Sequence, residues 1–275
     1  MKNNTTVSLL GCGWLGYPLA KYLISKEFRV KASTTSPAKS DLFKSDGIDP
    51  YLVQFDINSQ DPELFDFLDS DILIISVPPG RRSITGTENY RKMAFLLKPL
   101  LERGRISRII FISSTSVYPE SNSEITESSA IAPETDSAKA IAEFEEMLNG
   151  LKTKVVVLRL AGLIGPGRTP GRFFAGKTNI PNGLAPVNLI HLDDVIALVS
   201  TLINDENAGG IYNGCAPIHP SKEEFYTLAA KTEHLVEPQF IAERKDWKVI
   251  STERTDRELN FTYKYASLMD WLKNL

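Results

Sequence analysis

The sequence is poor in the residues that build metal centres and cystine frameworks. It has two cysteines, Cys12 and Cys215, and three histidines, His191, His219 and His234, none at ligand spacing. No metal site and no disulfide scaffold is therefore expected. It also lacks an excess of positive charge. Its 31 Lys and Arg against 34 Asp and Glu leave a net −3, which excludes the broad basic field of a nucleic-acid binder. Pairs such as Arg81-Arg82 then read as solvated surface. No apolar run approaches the ~18 residues of a membrane span. The segment Leu9-Leu10-Gly11-Cys12 has the outline of a lipoprotein cleavage box. The apolar stretch before it falls short of the about 7–15 residues of a leader. A cytoplasmic location, with no nucleic-acid or membrane partner, is the expectation.

What remains is the composition of an ordinary soluble chain, 42% hydrophobic and 24% charged over 275 residues. From the start to about residue 165, strand and helix signals alternate. Strands are expected at 6–10, 29–33, 51–55, 71–77, 108–114 and 154–160, and helices near 14–26, 37–46, 61–69, 86–103 and 134–149. Ile72-Leu73-Ile74-Ile75 and Val155-Val156-Val157-Leu158 are apolar throughout, as strands covered on both faces require. The repeat of strand and helix predicts an α/β fold, a doubly wound parallel sheet of the Rossmann type over residues 1–165. Residues 166–275 read as a smaller, mixed α/β lobe, partly interleaved with the first domain. Its strands are expected near 187–190 and 210–213, its helices near 192–204, 221–231 and 266–274. Residues 119–132, rich in Ser and Glu, show neither period and are expected as a long loop.

The feature with chemical content is Gly11-Cys12-Gly13-Trp14-Leu15-Gly16, set between the first strand and the first helix. In that setting G-x-G-x-x-G makes a tight turn, admits a pyrophosphate to the backbone and lets the helix pack on the strand. Gly11, Gly13, Trp14, Leu15 and Gly16 are thus candidate dinucleotide contacts, at the positive end of a helix dipole. An NAD site usually carries an acidic residue at the end of its second strand. Here that place reads Ala32-Ser33-Thr34-Thr35-Ser36-Pro37-Ala38-Lys39. Thr34, Thr35, Ser36 and Lys39 suit a 2′-phosphate, so NADP is expected in preference to NAD. The bland reading of the same residues is a turn with a cap at Ser36. Val77, Pro78 and Pro79, after the fourth strand, should run beside the cofactor.

Taken together, several short pieces resemble the extended short-chain dehydrogenase/reductase superfamily, the group of sugar-nucleotide epimerases and dehydratases. They are the glycine loop, Phe55-Asp56-Ile57, the run Phe111 to Tyr118, Lys139, Arg159-Leu160 with Ile164-Gly165-Pro166, Ile190 to Val195, Ile211-Tyr212-Asn213 and Arg257 to Phe261. The resemblance covers nearly the whole chain. It implies that Asp56 and Ile57 lie at the adenine, although Asp56 could instead cap the helix that follows, that Ser114 holds the substrate oxygen, and that Lys139 contacts the nicotinamide ribose. The family's tyrosine stands four residues before that lysine, and this chain has Thr135 there. A threonine hydroxyl is too weak an acid to replace a phenol at neutral pH. Thr135 either shares in holding a proton-carrying water or simply caps a helix. Tyr118 is the nearest other phenol; it either donates the proton or packs inside. Glu120, Glu124 and Glu127 are carboxyl alternatives, and Lys139 could instead pair with Glu143. Arg168 and Arg172 either grip an anionic substrate or lie in solvent.

Two functions follow. One is an NADP(H)-binding oxidoreductase or epimerase acting on a small polar, sugar-like substrate. The other is a catalytically silent dinucleotide-binding sensor or interaction module. The resemblance implies homodimers as one arrangement, although no helix face in the sequence singles itself out.

Overall fold

The computed structural model describes residues 5–53, 55, 62–80 and 84–275. Its elements run β1 (Thr6–Leu10), α1 (Gly16–Ser25), β2 (Arg29–Thr34), α2 (Ser40–Ser45), β3 (Asp49–Leu52), α3 (Pro62–Leu68), β4 (Ile72–Ile75), α4 (Ile84–Arg103) and β5 (Arg108–Ser114). They continue β6 (Ser123–Ile125), α5 (Asp136–Asn149), β7 (Lys154–Leu160), β8 (Gly162–Ile164), β9 (Leu189–His191), α6 (Leu192–Asn204) and β10 (Gly210–Gly214). The last are α7 (Lys222–Thr232), β11 (Lys248–Ile250), α8 (Glu253–Leu259) and α9 (Leu268–Lys273).

Seven strands form the central sheet in the order β10-β7-β5-β4-β1-β2-β3. β1 lies parallel to β2 on one side and to β4 on the other. β4–β5 and β2–β3 are parallel as well. This is the expected Rossmann-like α/β fold. Strand order reverses between β1 and β4, so the crevice at their carboxyl ends is the place where such a sheet binds ligands. All four residues of β4 are buried, as its unbroken apolar sequence required. Helix faces close over the sheet; Tyr90 of α4 and Phe111 of β5 both pack on Phe144 of α5.

Some expectations need correction. The third strand is Asp49–Leu52, not 51–55, because Asp49 is the partner of Lys31 in the β2 register. Pro50 is tolerated there because β3 is the sheet edge. The 119–132 segment is not all loop: β6 pairs in parallel with β11. A partner more than a hundred residues away leaves no local period to read.

The chain divides into two compact units. One comprises residues 1–117, 133–158 and 202–211, and the other 118–132, 159–201 and 212–275. The first contains the crevice at the ends of β1, β2 and β4. The second has its own core, in which Ile164, Val187, Leu189, Phe225, Ala229, Leu268 and Leu272 are buried together.

Candidate functional site

The glycine loop leaves β1 in a turn held from β2. Gly11 has φ +99°, and a Cβ there would stand 2.8 Å from the Ser76 and Val77 backbone, so both conformation and space demand glycine. A Cβ at Gly16 would overlap the Gly11 carbonyl oxygen; glycine lets α1 start hard against the strand. Gly13 differs. It lies outside the left-handed region, and a Cβ there would meet nothing within 4 Å. The protein's own packing gives no reason for glycine at 13, whereas a phosphate lying against the backbone does. The loop therefore fits a dinucleotide diphosphate, with Trp14 half-buried, Leu15 buried and the first turn of α1 beyond. Cys12 is buried in the loop, and burial pushes its thiol up to about 12 although the Lys39 charge acts in the opposite sense. It is an inert packing residue.

At the end of β2 the hydroxyls divide. Ser33, buried, accepts a hydrogen bond from the Gly11 N–H at 2.8 Å through Oγ, and its carbonyl accepts from Cys12 N at 3.3 Å. Thr34, also buried, accepts from Ser36 N at 3.0 Å, which tightens the turn. Thr35 and Lys39 are exposed and Ser36 half-buried. Ser36 precedes a short 3-10 turn, Pro37–Lys39, but its side chain makes no capping bond. Beyond β4, Val77 is half-buried, Pro78 exposed and Pro79 buried, and Gly80 N closes a tight turn onto Pro78 O. Asp56 and Ile57, like Arg81 and Arg82, lie outside the described residues.

Ser114 ends β5, half-buried, with Oγ accepting from Ser116 N at 3.2 Å. Its neighbour Ser113 points the other way and donates to the buried Glu145 carboxylate. Alternation along the strand thus turns Ser114 to the opposite face of the sheet from Ser113. Lys139 is exposed on the first turns of α5 and makes no ion pair or hydrogen bond through its ammonium among the described residues. The pairing with Glu143 is not formed, because Arg91 takes both Glu143 (2.7 Å) and Asp136 (3.0 Å). Thr135 is the N-cap of α5, accepting from Ala138 N at 3.2 Å, and is exposed.

Tyr118 is held within the second unit. It is 2% exposed, its hydroxyl donates to Asn213 Oδ1 at 3.0 Å and accepts from Arg159 Nη1 at 2.8 Å, and that guanidinium stacks 4.8 Å from the ring. Both partners fix the phenol as part of a buried polar network. Two of the loop glutamates are likewise engaged, Glu120 with Lys248 at 2.9 Å and Glu127 with Asn213 N at 2.9 Å. Glu124 sits exposed on β6. Arg168 and Arg172 are exposed on the loop after β8, which Glu233 ties down by accepting from Thr169 Oγ1 and Gly171 N. The Ile190 to Val195 segment is a clamp. Asp194, buried, accepts from the backbone of Lys264 (2.7 Å) and Tyr265 (3.1 Å), and His191 packs on Tyr265 and Trp271. Ser33 is the contact that motif reading passed over. Its signal was a hydroxyl at the end of a strand whose preceding residues are buried.

Among the described residues, no group of three or more His, Cys, Asp or Glu could hold a metal ion, and no helix is long and apolar enough to cross a membrane.

A doubly wound sheet with a glycine loop at its switch point and a serine closing the fifth strand defines a class, the extended short-chain dehydrogenase/reductase-type dinucleotide-binding proteins. Within it the chain belongs to the NAD dependent epimerase/dehydratase family, whose model matches residues 9–214. Protein YeeZ of Escherichia coli K12 is a relative, 40% identical over 264 residues and covering 94% of this chain and 96% of that one. Among solved structures, the UDP-N-acetylglucosamine 4-epimerase of Methanobrevibacter ruminantium M1, in complex with UDP-N-acetylmuramic acid, is similar with TM-score 0.80. It is 15% identical, with 99% of this chain and 97% of that one covered. The UDP-glucuronic acid 4-epimerase of Bacillus cereus, in complex with UDP-glucuronic acid and NAD, has TM-score 0.78 at 16% identity, over 98% and 96% of the two chains. At such identities the likeness is one of fold.

Proposed function

We propose that this protein is an NADP(H)-dependent oxidoreductase or epimerase acting on a small polar, sugar-like substrate. The observation that carries the reading is Gly13, where neither conformation nor packing calls for glycine and a diphosphate against the backbone would. Gly11, Gly13, Trp14, Leu15 and Gly16 would receive the diphosphate. The preference for NADP is supported by a second-strand end without a carboxylate, by the exposed Thr35 and half-buried Ser36, and by the exposed Lys39 that follows them in sequence. The nicotinamide, when bound, supplies the hydride acceptor or donor.

Ser114 would hold the substrate oxygen and Lys139 the nicotinamide ribose. The proton at that oxygen would pass through a water held by Ser114, Thr135 and Lys139; the capping bond that Thr135 accepts from Ala138 N still leaves a hydroxyl that can donate. Arg168 and Arg172, exposed on the second unit, are side chains of the type that grips an anionic group by paired hydrogen bonds.

Titrating NADPH and NADH against Trp14 fluorescence and by calorimetry tests the binding. NADPH is expected to bind at least tenfold more tightly, and binding of neither removes the reading. A panel of UDP-sugars tests turnover, read by the absorbance of reduced nicotinamide for net oxidation or reduction and by chromatography of the sugar product for epimerisation; Ser114→Ala and Lys139→Ala should each abolish it. A second reading, a silent dinucleotide sensor, is favoured by one observation: Tyr118, the phenol that follows the fifth strand in sequence, is bonded to both Asn213 and Arg159. Tight NADPH binding with no turnover across the panel would select it.

A further inference from the structure

We propose that Ser33 is a positioning residue for dinucleotide affinity, a latch that shapes the diphosphate cradle without touching the ligand. The inference rests on the dinucleotide reading above and extends it to a residue outside the glycine motif.

The β1–β2 ladder ends with Leu9 opposite Ala32. Beyond it the glycine loop must leave the sheet, and its first N–H groups lose the strand partner that a ladder would supply. Ser33 replaces that partner twice. Its Oγ accepts from Gly11 N at 2.8 Å and its carbonyl from Cys12 N at 3.3 Å. The two bonds fall on consecutive amides at the point where Gly11 adopts φ +99° and turns the chain toward Gly13. Only one of them is a side-chain bond, so only one depends on residue type. Gly11 N also closes none of the other bonds of the turn: Gly13 N reaches back to Gly11 O at 3.0 Å and Tyr17 N to Gly13 O at 2.9 Å. The loop is thus a short chain of hydrogen bonds whose first member is the Ser33 hydroxyl.

Ser33 is 6% exposed, so removing its hydroxyl leaves the Gly11 amide with little water to replace it. A loop relieved of that constraint samples other turns, and the bound geometry then has to be selected at the expense of affinity. The effect is common to both nucleotides, because the diphosphate is common to both. Thr34, one residue on, acts in the other direction: its hydroxyl fixes the turn that presents Thr35 and Ser36. Adjacent hydroxyls on one strand end therefore serve two different parts of the ligand.

The test compares Ser33→Ala and Ser33→Thr with the wild type by calorimetric titration of NADPH and of NADH, alongside ligand-free thermal melting and exchange of the Gly11 amide in the ligand-free protein. Ser33→Ala is expected to weaken both nucleotides by the same factor, about tenfold. Its ligand-free melting temperature should fall by no more than a few degrees while Gly11 exchange accelerates. Ser33→Thr, which keeps the hydroxyl, should restore both. Unchanged affinities in Ser33→Ala, or a loss confined to one nucleotide, overturn the latch while leaving the dinucleotide reading intact. If Ser33→Ala folds poorly, slow Gly11 exchange and wild-type affinity in Ser33→Thr support the latch, and fast exchange there overturns it. A wild-type protein that binds neither nucleotide overturns the dinucleotide reading and the latch with it.

Discussion

A methyl group added at Gly16 would run into the Gly11 carbonyl, whereas one added at Gly13 would enter open space. The two substitutions should therefore separate folding from binding. Gly16→Ala is expected to lower the unfolding free energy by about 1–3 kcal/mol through overpacking. Gly13→Ala should leave ligand-free stability unchanged or raise it by up to ~1 kcal/mol, since a backbone outside the left-handed region accepts alanine. Yet it should weaken NADPH by tenfold or more. Denaturant unfolding and calorimetry on the two variants measure both effects; Gly13→Ala binding as tightly as the wild type would undo the argument for a diphosphate at this turn. The glycines were legible in the sequence because their spacing is local. Which of them serves the fold and which the ligand was not, because that depends on the Ser76 and Val77 backbone just beyond β4, which meets the loop only after folding.

At the scale of elements, α5 carries the candidate ribose contact and the residue that departs from the family pattern. Its N-cap is Thr135, whose hydroxyl accepts from Ala138 N. Thr135→Ala should destabilise the protein by about 1 kcal/mol, within a range of ~0.5–2, and Thr135→Ser should not. Chemical denaturation reads this directly, and an Ala variant as stable as the wild type would show that the cap contributes nothing. The Arg91 pairs with Asp136 and Glu143 tie α4 to α5, but they are solvent-exposed and add little beyond orientation. Most elements followed from period and composition: β1, β5, β7 and α6 begin and end where the apolar pattern does. The short strands β6, β8 and β11 did not. Three residues carry too little pattern, and their pairing is decided by partners far along the chain.

For the molecule as a whole, one buried imidazole and one half-buried one make stability depend on pH. Burial holds His191 and His219 below the ordinary histidine value, in spite of Asp193 beside the first and the Val187 carbonyl and Glu124 near the second. In the unfolded chain both titrate near ~6.5. Below that pH the unfolded state binds more protons than the folded one, so stability is greatest above ~6.5 and falls as the pH drops toward the lower folded values. Melting temperatures measured from neutral to mildly acid pH should decline, and His191→Phe should flatten part of the decline. A profile in which the wild type is as stable in mild acid as at neutral pH would contradict the burial argument.

The sequence alone determined the strand–helix alternation, the glycine turn, the absence of an acidic residue at the end of β2, and the threonine four places before Lys139. All of these are written in neighbouring residues, and local periodicity and side-chain chemistry suffice to read them. Only the tertiary structure decided that Tyr118 is bound by Asn213 and Arg159, that Glu143 belongs to Arg91 and not to Lys139, and that Ser33 holds Gly11. Each of those outcomes is a choice among hydrogen-bonding partners, and a polar side chain selects its partner only when burial removes water as the competitor and the fold fixes which groups come within reach.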